Sequence, residues 1–348
     1  MRIAILGSGY AGLSVTWHLL FHSQGSATID MFDPSPMEDN ATSLSSGLLH
    51  AFPGPRATKA FLGDESLSYT HNLITQASKA LNSSVVISHG ILRPTITTEQ
   101  TDLFKQRAQE FPLELEWWEK AKCESIIPGL SINNNAGGLF IKNGLTLKND
   151  AYIEGLWKSC ASLGTQLYSD LIDDLTEIQD YYDNIIITPG ANFDNLKTLQ
   201  QLPINKVKGQ ILEINWPENL NPLPISINAN KYLVANGKKN TCILGATFEH
   251  NQIEEPNQKE AYQEIIPKLS PFFPFLNTTT IIGCYAGMRV STSTKKPLIG
   301  KISEKVWILV GLGSKGLLYH GIAGSMLAQA VLANNIQYIR PEFLYSQV

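Results

Sequence analysis

Met1–Asp33, MRIAILGSGYAGLSVTWHLLFHSQGSATIDMFD, decides how the rest of the chain is read. Ile3 to Leu6 is a short apolar run of the kind that fills a buried parallel strand. Gly7, Gly9 and Gly12 follow in the order G-x-G-x-x-G, and an apolar helical pattern runs on through Leu13, Trp17 and Leu20. A second β-rich run, Ala27 to Phe32, ends on Asp33. Gly7 allows a tight strand-to-helix turn, Gly9 leaves room for a pyrophosphate against the backbone, and Gly12 lets the helix lie close to the strand. The helix N-terminus, with Tyr10 and Ala11, offers unpaired N–H groups and a partial positive charge to the phosphates. Asp33, about 20 residues on, is placed to accept hydrogen bonds from a ribose diol. Set between a strand and a helix, the pattern reads as a dinucleotide site.

Working outward, 33–40 is a proline-containing loop, and 41–56 (ATSLSSGLLHAFPGPR) is rich in Ser, Gly and Pro. Ser45, Ser46 and Gly47 open a helix there or line a cofactor. His50, alone in that loop, reads as a surface group. Residues 64–81 have helical periodicity, 85–94 and 137–141 read as strands, and 98–111 as a polar helix. Residues 149–163 form a helix that a capping Asn149 or Asp150 opens and Gly164 closes. Residues 182–188 form an apolar strand closed by Pro189, Gly190 and Ala191. The strands over 206–214, 231–235 and 241–247 have no long helix between them, which is antiparallel behaviour. After a helix at 257–269 and a strand at 281–290, the strand 306–311 meets GLGSKG and the apolar helix 317–332, a second strand, glycine turn and helix. The pattern predicts an α/β fold, α+β overall: a Rossmann-like domain from 1–82, 145–205 and 286–348, with an inserted antiparallel-sheet substrate domain from 83–144 and 206–285.

The 348 residues carry a net charge of −4, so the chain has no general basic field for nucleic acid or for a membrane surface. Cys123, Cys160, Cys242 and Cys284 form no C-x-x-C pair, which offers no metal site or redox dithiol and suits a reducing compartment. No apolar run approaches the roughly 18 residues of a membrane span, and the N-terminus is a strand rather than a leader. These points together predict a cytoplasmic protein.

The segments ILGSGYAGLS, LSSGLLH, GILRP, GGLFI, TPGA, KVKGQIL, YLV…ILGAT, AGMRVSTSTKKPLIG and GLGSKGLLY stand in an order that resembles the glycine oxidase/D-amino-acid oxidase-type FAD-dependent oxidoreductases over nearly the whole chain. The resemblance implies FAD, and oxidation of the CH–NH bond of a carboxylate-bearing amine (glycine, a D-amino acid or an N-substituted glycine) by hydride transfer to flavin N5. Electrons would pass to oxygen or to a carrier. The resemblance places Gly7, Gly9, Gly12 and Asp33 on the ADP half, and Ser45, Ser46, Gly47 and Gly190 near the pyrophosphate and flavin. It places Gly313, Ser314, Lys315, Gly316 and Leu317 at the flavin pyrimidine, where a positive helix end suits an anionic reduced ring.

Arg289 matches the family arginine that grips the substrate carboxylate, Tyr232 a tyrosine that hydrogen-bonds it, and Lys315 a second cation. A guanidinium fork pairs bidentately with a carboxylate and keeps its charge. The segment GLGSKGLLYHGIAGSMLA is at least as similar to the oxidase domain of the bifunctional enzyme that modifies 5-methylaminomethyl-2-thiouridine in tRNA. That similarity implies an alternative substrate, the carboxymethylaminomethyl group of a wobble uridine, with Arg56, Lys59, Arg93 and Lys206 as a basic stripe. A flavin-binding protein without turnover is the third reading.

Overall fold

A computed structural model of the chain describes residues 1–35, 44–133, 136–238, 240–250 and 255–345. The opening apolar run is β1 (Arg2–Leu6), leading through α1 (Tyr10–Ser23) to β2 (Thr28–Phe32). Next come β3 (Leu48–Leu49), α2 (Gly63–Leu81), β4 (Val86–Pro94), α3 (Thr98–Glu110), β5 (Leu115–Glu119), α4 (Lys120–Ile126) and β6 (Gly137–Leu147). The middle holds α5 (Asn149–Ala161), β7 (Gln166–Tyr168), β8 (Asn184–Ile187), β9 (Ile204–Asn215), β10 (Ser226–Asn228), β11 (Tyr232–Ala235) and β12 (Thr241–Gly245). The chain ends with α6 (Gln258–Leu269), β13 (Ile281–Thr292), β14 (Leu298–Lys301), β15 (Val306–Val310) and α7 (Gly316–Ala333).

Two sheets result. A six-stranded sheet runs β14-β15-β8-β1-β2-β7, parallel throughout except at its β14 edge. Its central strands are buried and rich in isoleucine, as Ile3 and Ile5 or Ile185 to Ile187 show. The nine-stranded sheet runs β13-β9-β12-β11-β10-β4-β6-β3, with β5 on β6. Its pairings are antiparallel except β4 with β10, which matches the pattern expected over 206–247.

Several local expectations need correction. Asn149 does not cap α5: it is the first residue inside the helix, and its side chain accepts from Tyr10 Oη at 2.7 Å and donates to Ser45 O. Ser45, Ser46 and Gly47 open no helix; they lead into β3, with Gly47 at φ +68°. A helix segment, Gly313–Ala333, does meet the length and apolarity of a membrane span, but 83% of its apolar window is buried within the protein. It packs on α1 and α2, and a helix that is apolar all round is a core helix in such a setting. The loop expected at 33–40 lies outside the described residues from Pro36 onward, as do Ala41 to Ser43 of the next loop.

Candidate active site

The nucleotide turn is built from contacts that only glycine permits. Gly7 has φ +107°, and a Cβ there would stand 2.2 Å from Thr188 O. A Cβ on Gly12 would stand 1.9 Å from Gly7 O, so α1 lies directly on the turn. Thr188, at the end of β8, closes the turn from the other side: its hydroxyl donates to Leu6 O at 2.9 Å and Gly7 O at 3.1 Å. Asp33 accepts from Ser8 N at 2.7 Å and Ser8 Oγ at 2.6 Å on one oxygen, and from Ser35 N at 3.0 Å on the other. A carboxylate has about four acceptor sites, so Asp33 fixes the turn and keeps capacity for a ligand hydroxyl.

These groups line one cleft of about 630 Å³, a volume typical of cofactor pockets. It brings together Gly7, Gly9, Tyr10, Ala11 and Asp33 with Ser45, Ser46 and Gly190, and then with Tyr232, Arg289, Gly313, Ser314, Gly316 and Leu317. Gly47 lies just behind this wall, its carbonyl accepting from Leu147 N at 2.9 Å. The start of α7 faces the cleft, so its free N–H groups add positive potential there.

Arg289 and Tyr232 reach the cleft by the same device. On β13, Arg289 stands opposite Val207 of β9, and Gly287 stands opposite Gly209. The glycine pair leaves a gap on that face, and the guanidinium folds into it: a Cβ on Gly209 would meet Arg289 Nη2 at 1.6 Å. Nη2 donates to Thr247 O at 3.2 Å, and the guanidinium carbon stands 5.8 Å from the centre of the Phe248 ring. Among the described residues no carboxylate pairs with Arg289, although burial lowers its pKa. Tyr232 lies across its strand partner Gly245. Burial pushes its hydroxyl up to about 12, against a smaller opposing pull from Arg289. Two hydrogen-bond donors, one cationic, thus line the cleft, with donor capacity left unused among the described residues.

Lys315 is placed differently from the expectation. Its side chain lines an adjoining cavity, where Nζ donates to Lys295 O at 3.3 Å. Burial lowers its pKa first, with Lys295 and Lys296 adding to the effect. His50 is no surface group: it lines the cleft, and Nδ1 accepts from Phe52 N at 3.2 Å. Loss of solvent, then the charge of Arg93, holds it down to about 3. The neutral ring therefore carries its proton on Nε2.

Nor do the four proposed stripe residues form a stripe. Arg93 is 4% exposed and holds Phe52 O at 2.7 Å and Gly54 O at 2.5 Å, while Lys59 pairs with Asp64 and Glu114. Lys206 pairs with Asp194, and Arg56 stands exposed. The sequence reading missed Ser8, Thr188 and the Tyr10–Asn149–Ser45 bridge. Of these, Ser8 lies within the glycine motif and Thr188 ends an apolar strand at the same level, which is the signal that could have found them.

The family described as FAD dependent oxidoreductase (DAO) matches residues 2–330. The bifunctional protein ThiO/ThiG of Nostoc sp. is 24% identical over 272 residues, 74% of this chain. The chain spans 41% of that relative's length. Glycine oxidase of Bacillus licheniformis is 21% identical over 355 residues, covering 96% of this chain and 93% of the relative. The crystal structure of glycine oxidase from Bacillus cereus superimposes with a TM-score of 0.80 at 16% identity, covering 100% of this chain and 99% of that one. The tRNA 5-methylaminomethyl-2-thiouridine biosynthesis bifunctional protein MnmC of Leptospira borgpetersenii is 22% identical over 160 residues, only 37% of this chain and 24% of the relative.

Proposed function

The chain belongs to the DAO family of FAD-dependent oxidoreductases, and from that premise we propose that it oxidises the CH–NH bond of a carboxylate-bearing amine: glycine, a D-amino acid or an N-substituted glycine. FAD is the cofactor, and it supplies the two-electron acceptor. The glycine turn supports that cofactor, since a side chain at Gly7 or Gly12 would fill the space against Thr188 and Gly7. On this reading residues 1–82, 145–205 and 286–348 hold the cofactor, and 83–144 and 206–285 bear on the substrate.

One observation carries the substrate class: the guanidinium of Arg289, without a carboxylate partner among the described residues, in the same cleft as the nucleotide turn and the Tyr232 side chain. Arg289 would hold the carboxylate through a bidentate pair, with Tyr232 donating a further hydrogen bond. Clamped there, the substrate would share the cleft with the start of α7, whose N–H groups favour negative charge. Neutral His50 offers this cleft a donor rather than a positive charge. Electrons then leave to oxygen or a carrier. A cytoplasmic location is part of the proposal, supported by four free cysteines.

The decisive experiment is anaerobic addition of glycine, sarcosine, proline and D-amino acids to wild type and Arg289→Ala, followed by the flavin spectrum. Wild type bleaches with one of them, and Arg289→Ala keeps its flavin but loses at least about tenfold in reduction rate, as expected for a lost charged hydrogen bond. Equal rates in the two proteins overturn the carboxylate assignment. The tRNA alternative rests on the partial similarity to the tRNA-modifying protein; reduction by tRNA bearing the carboxymethylaminomethyl group, and by no small amine, would establish it. Flavin that nothing reduces would favour a non-catalytic flavin protein.

A further inference from the structure

Beside the cofactor cleft, and sharing Arg289, Leu312, Gly313 and Ser314 with it, lies a second cavity of about 780 Å³. Its charge is one-sided. Lys206, Lys295 and Lys315 join Arg289 on its wall, against a single carboxylate, Asp194, among its described lining residues. Asp194 pairs with Lys206 at 2.6 Å. Among the described residues Arg289, Lys295 and Lys315 therefore have no carboxylate partner. Lys315 Nζ leans on the carbonyl of Lys295, which brings two ammonium-bearing residues together rather than apart.

Like charges gathered at one cavity repel, and an anion between them relieves that repulsion. Phe248 is 55% exposed in the same cavity, with His250 edge-on to it at 5.6 Å, so the wall offers apolar contact as well as charge. Arg289 stands on the partition between the two spaces. A substrate whose carboxylate sits on Arg289 therefore has a second, cationic space within reach.

Resting on the carboxylate reading of Arg289, we infer that this cavity is a second anion subsite, so that the substrate is an amine with two anionic groups: one carboxylate on Arg289, and a second carboxylate or a phosphate facing Lys295 and Lys315. Lys315 then serves the second anion, not the first. The subsite gives the enzyme a preference for an N-carboxyalkyl glycine or an acidic amino acid over their uncharged counterparts.

The test is calorimetric titration of the holoenzyme with two unreactive acids of equal length, succinate and butyrate, at low and high salt. Succinate binds about tenfold more tightly at low salt, the combined effect expected of two partly exposed cations, and the preference shrinks at high salt. The succinate-to-butyrate affinity ratio falls to near one in Lys295→Gln/Lys315→Gln, and falls part of the way in Lys295→Gln alone, with thermal melts establishing that both variants fold. A ratio near one in wild type, or a ratio untouched in the double variant, overturns the subsite. Replacing succinate by 3-phosphonopropionate distinguishes the sources, since tighter binding of the phosphonate assigns the second group as phosphate. Bulk tRNA that displaces succinate at physiological salt, and fails to bind the double variant, overturns the small dianion in favour of a polynucleotide. Arg289→Ala separates this inference from the one beneath it. If butyrate affinity is unchanged there while the lysine variants still abolish the succinate preference, the carboxylate assignment falls and the anion subsite stands.

Discussion

Substituting Gly209 by alanine tests the seat of Arg289 without removing its charge. The added methyl carbon would stand 1.6 Å from Nη2 and 2.6 Å from the guanidinium carbon, so the guanidinium must leave its place. The obstacle is the far end of a flexible side chain, and Gly209 lies on a strand without a left-handed φ, so the backbone accepts alanine. Such a replacement also restricts the unfolded chain, an effect of about 0.4–1 kcal/mol in favour of folding. The fold should therefore hold, with a melting temperature within a few degrees of wild type. A charge-assisted hydrogen bond contributes about 1.5–3 kcal/mol, so losing one arm of a bidentate pair weakens carboxylate binding about ten- to hundredfold. Calorimetric titration with butyrate, together with a thermal melt, reads both quantities. Unchanged affinity with an unchanged melt would refute the placement of the guanidinium over Gly209. A collapsed melt would show that the strand yields instead of the side chain.

Three further outcomes follow from the same contacts. In Gly12→Ala the new Cβ meets backbone, Gly7 O at 1.9 Å, so the nucleotide turn itself must open; overpacking of this kind costs about 1–3 kcal/mol, and the purified variant should lose its FAD, read as flavin absorbance per protein. In Asn149→Ala, Tyr10 Oη loses its acceptor and Ser45 O its donor; a destabilisation of about 1–3 kcal/mol and faster flavin release are expected, by denaturant titration and stopped-flow dilution. Burial holds His18 down to about 3 and His320 to about 4, against 6.5 for the free side chain. Both are thus neutral in the folded protein and protonated in the unfolded chain below that value. Their contribution is present above pH 6.5 and is lost progressively as pH falls toward the folded values, the unfolded chain binding up to two more protons in that range. Denaturant midpoints that stay level between pH 7 and 5 would contradict this.

The sequence was most legible where local sterics leave one solution. Gly12 is forced by a contact within the strand–turn–helix unit, Gly7 O, and Gly7 by its own positive φ, so their spacing announces them even though Thr188 closes on Gly7 from a distant strand. Short strands preceded by prolines, β10 and β14, left no periodicity to read and are held by their sheet neighbours. Asn149 has the residue type of a cap, yet a hydroxyl 139 residues away in the chain claims its side chain. The burial of α7 on every side follows from the helices around it, which an apolar run does not reveal. Lys315 was legible as a cation near the glycine turn, but the direction of its side chain depends on Lys295 and Tyr319. Gly209 looked like an ordinary strand glycine, because the register that sets it beside Arg289 belongs to the pairing of two strands far apart in sequence.

The strand that carries Arg289 makes a further pairing. Two residues beyond Arg289, Ser291 bridges Leu312, the residue between Gly311 and Gly313. The strand that carries Arg289 and the glycine turn are thus tied by main-chain pairing. On the carboxylate reading of Arg289, a site tied in this way would work as a gauge of length: it would fix how many bonds can separate the carboxylate from the carbon that reacts. An α-amino acid fits such a gauge, whereas a β-amino acid places its reacting carbon one bond further out. Glycine and β-alanine, nearly alike in charge and polarity, should be told apart by backbone geometry alone.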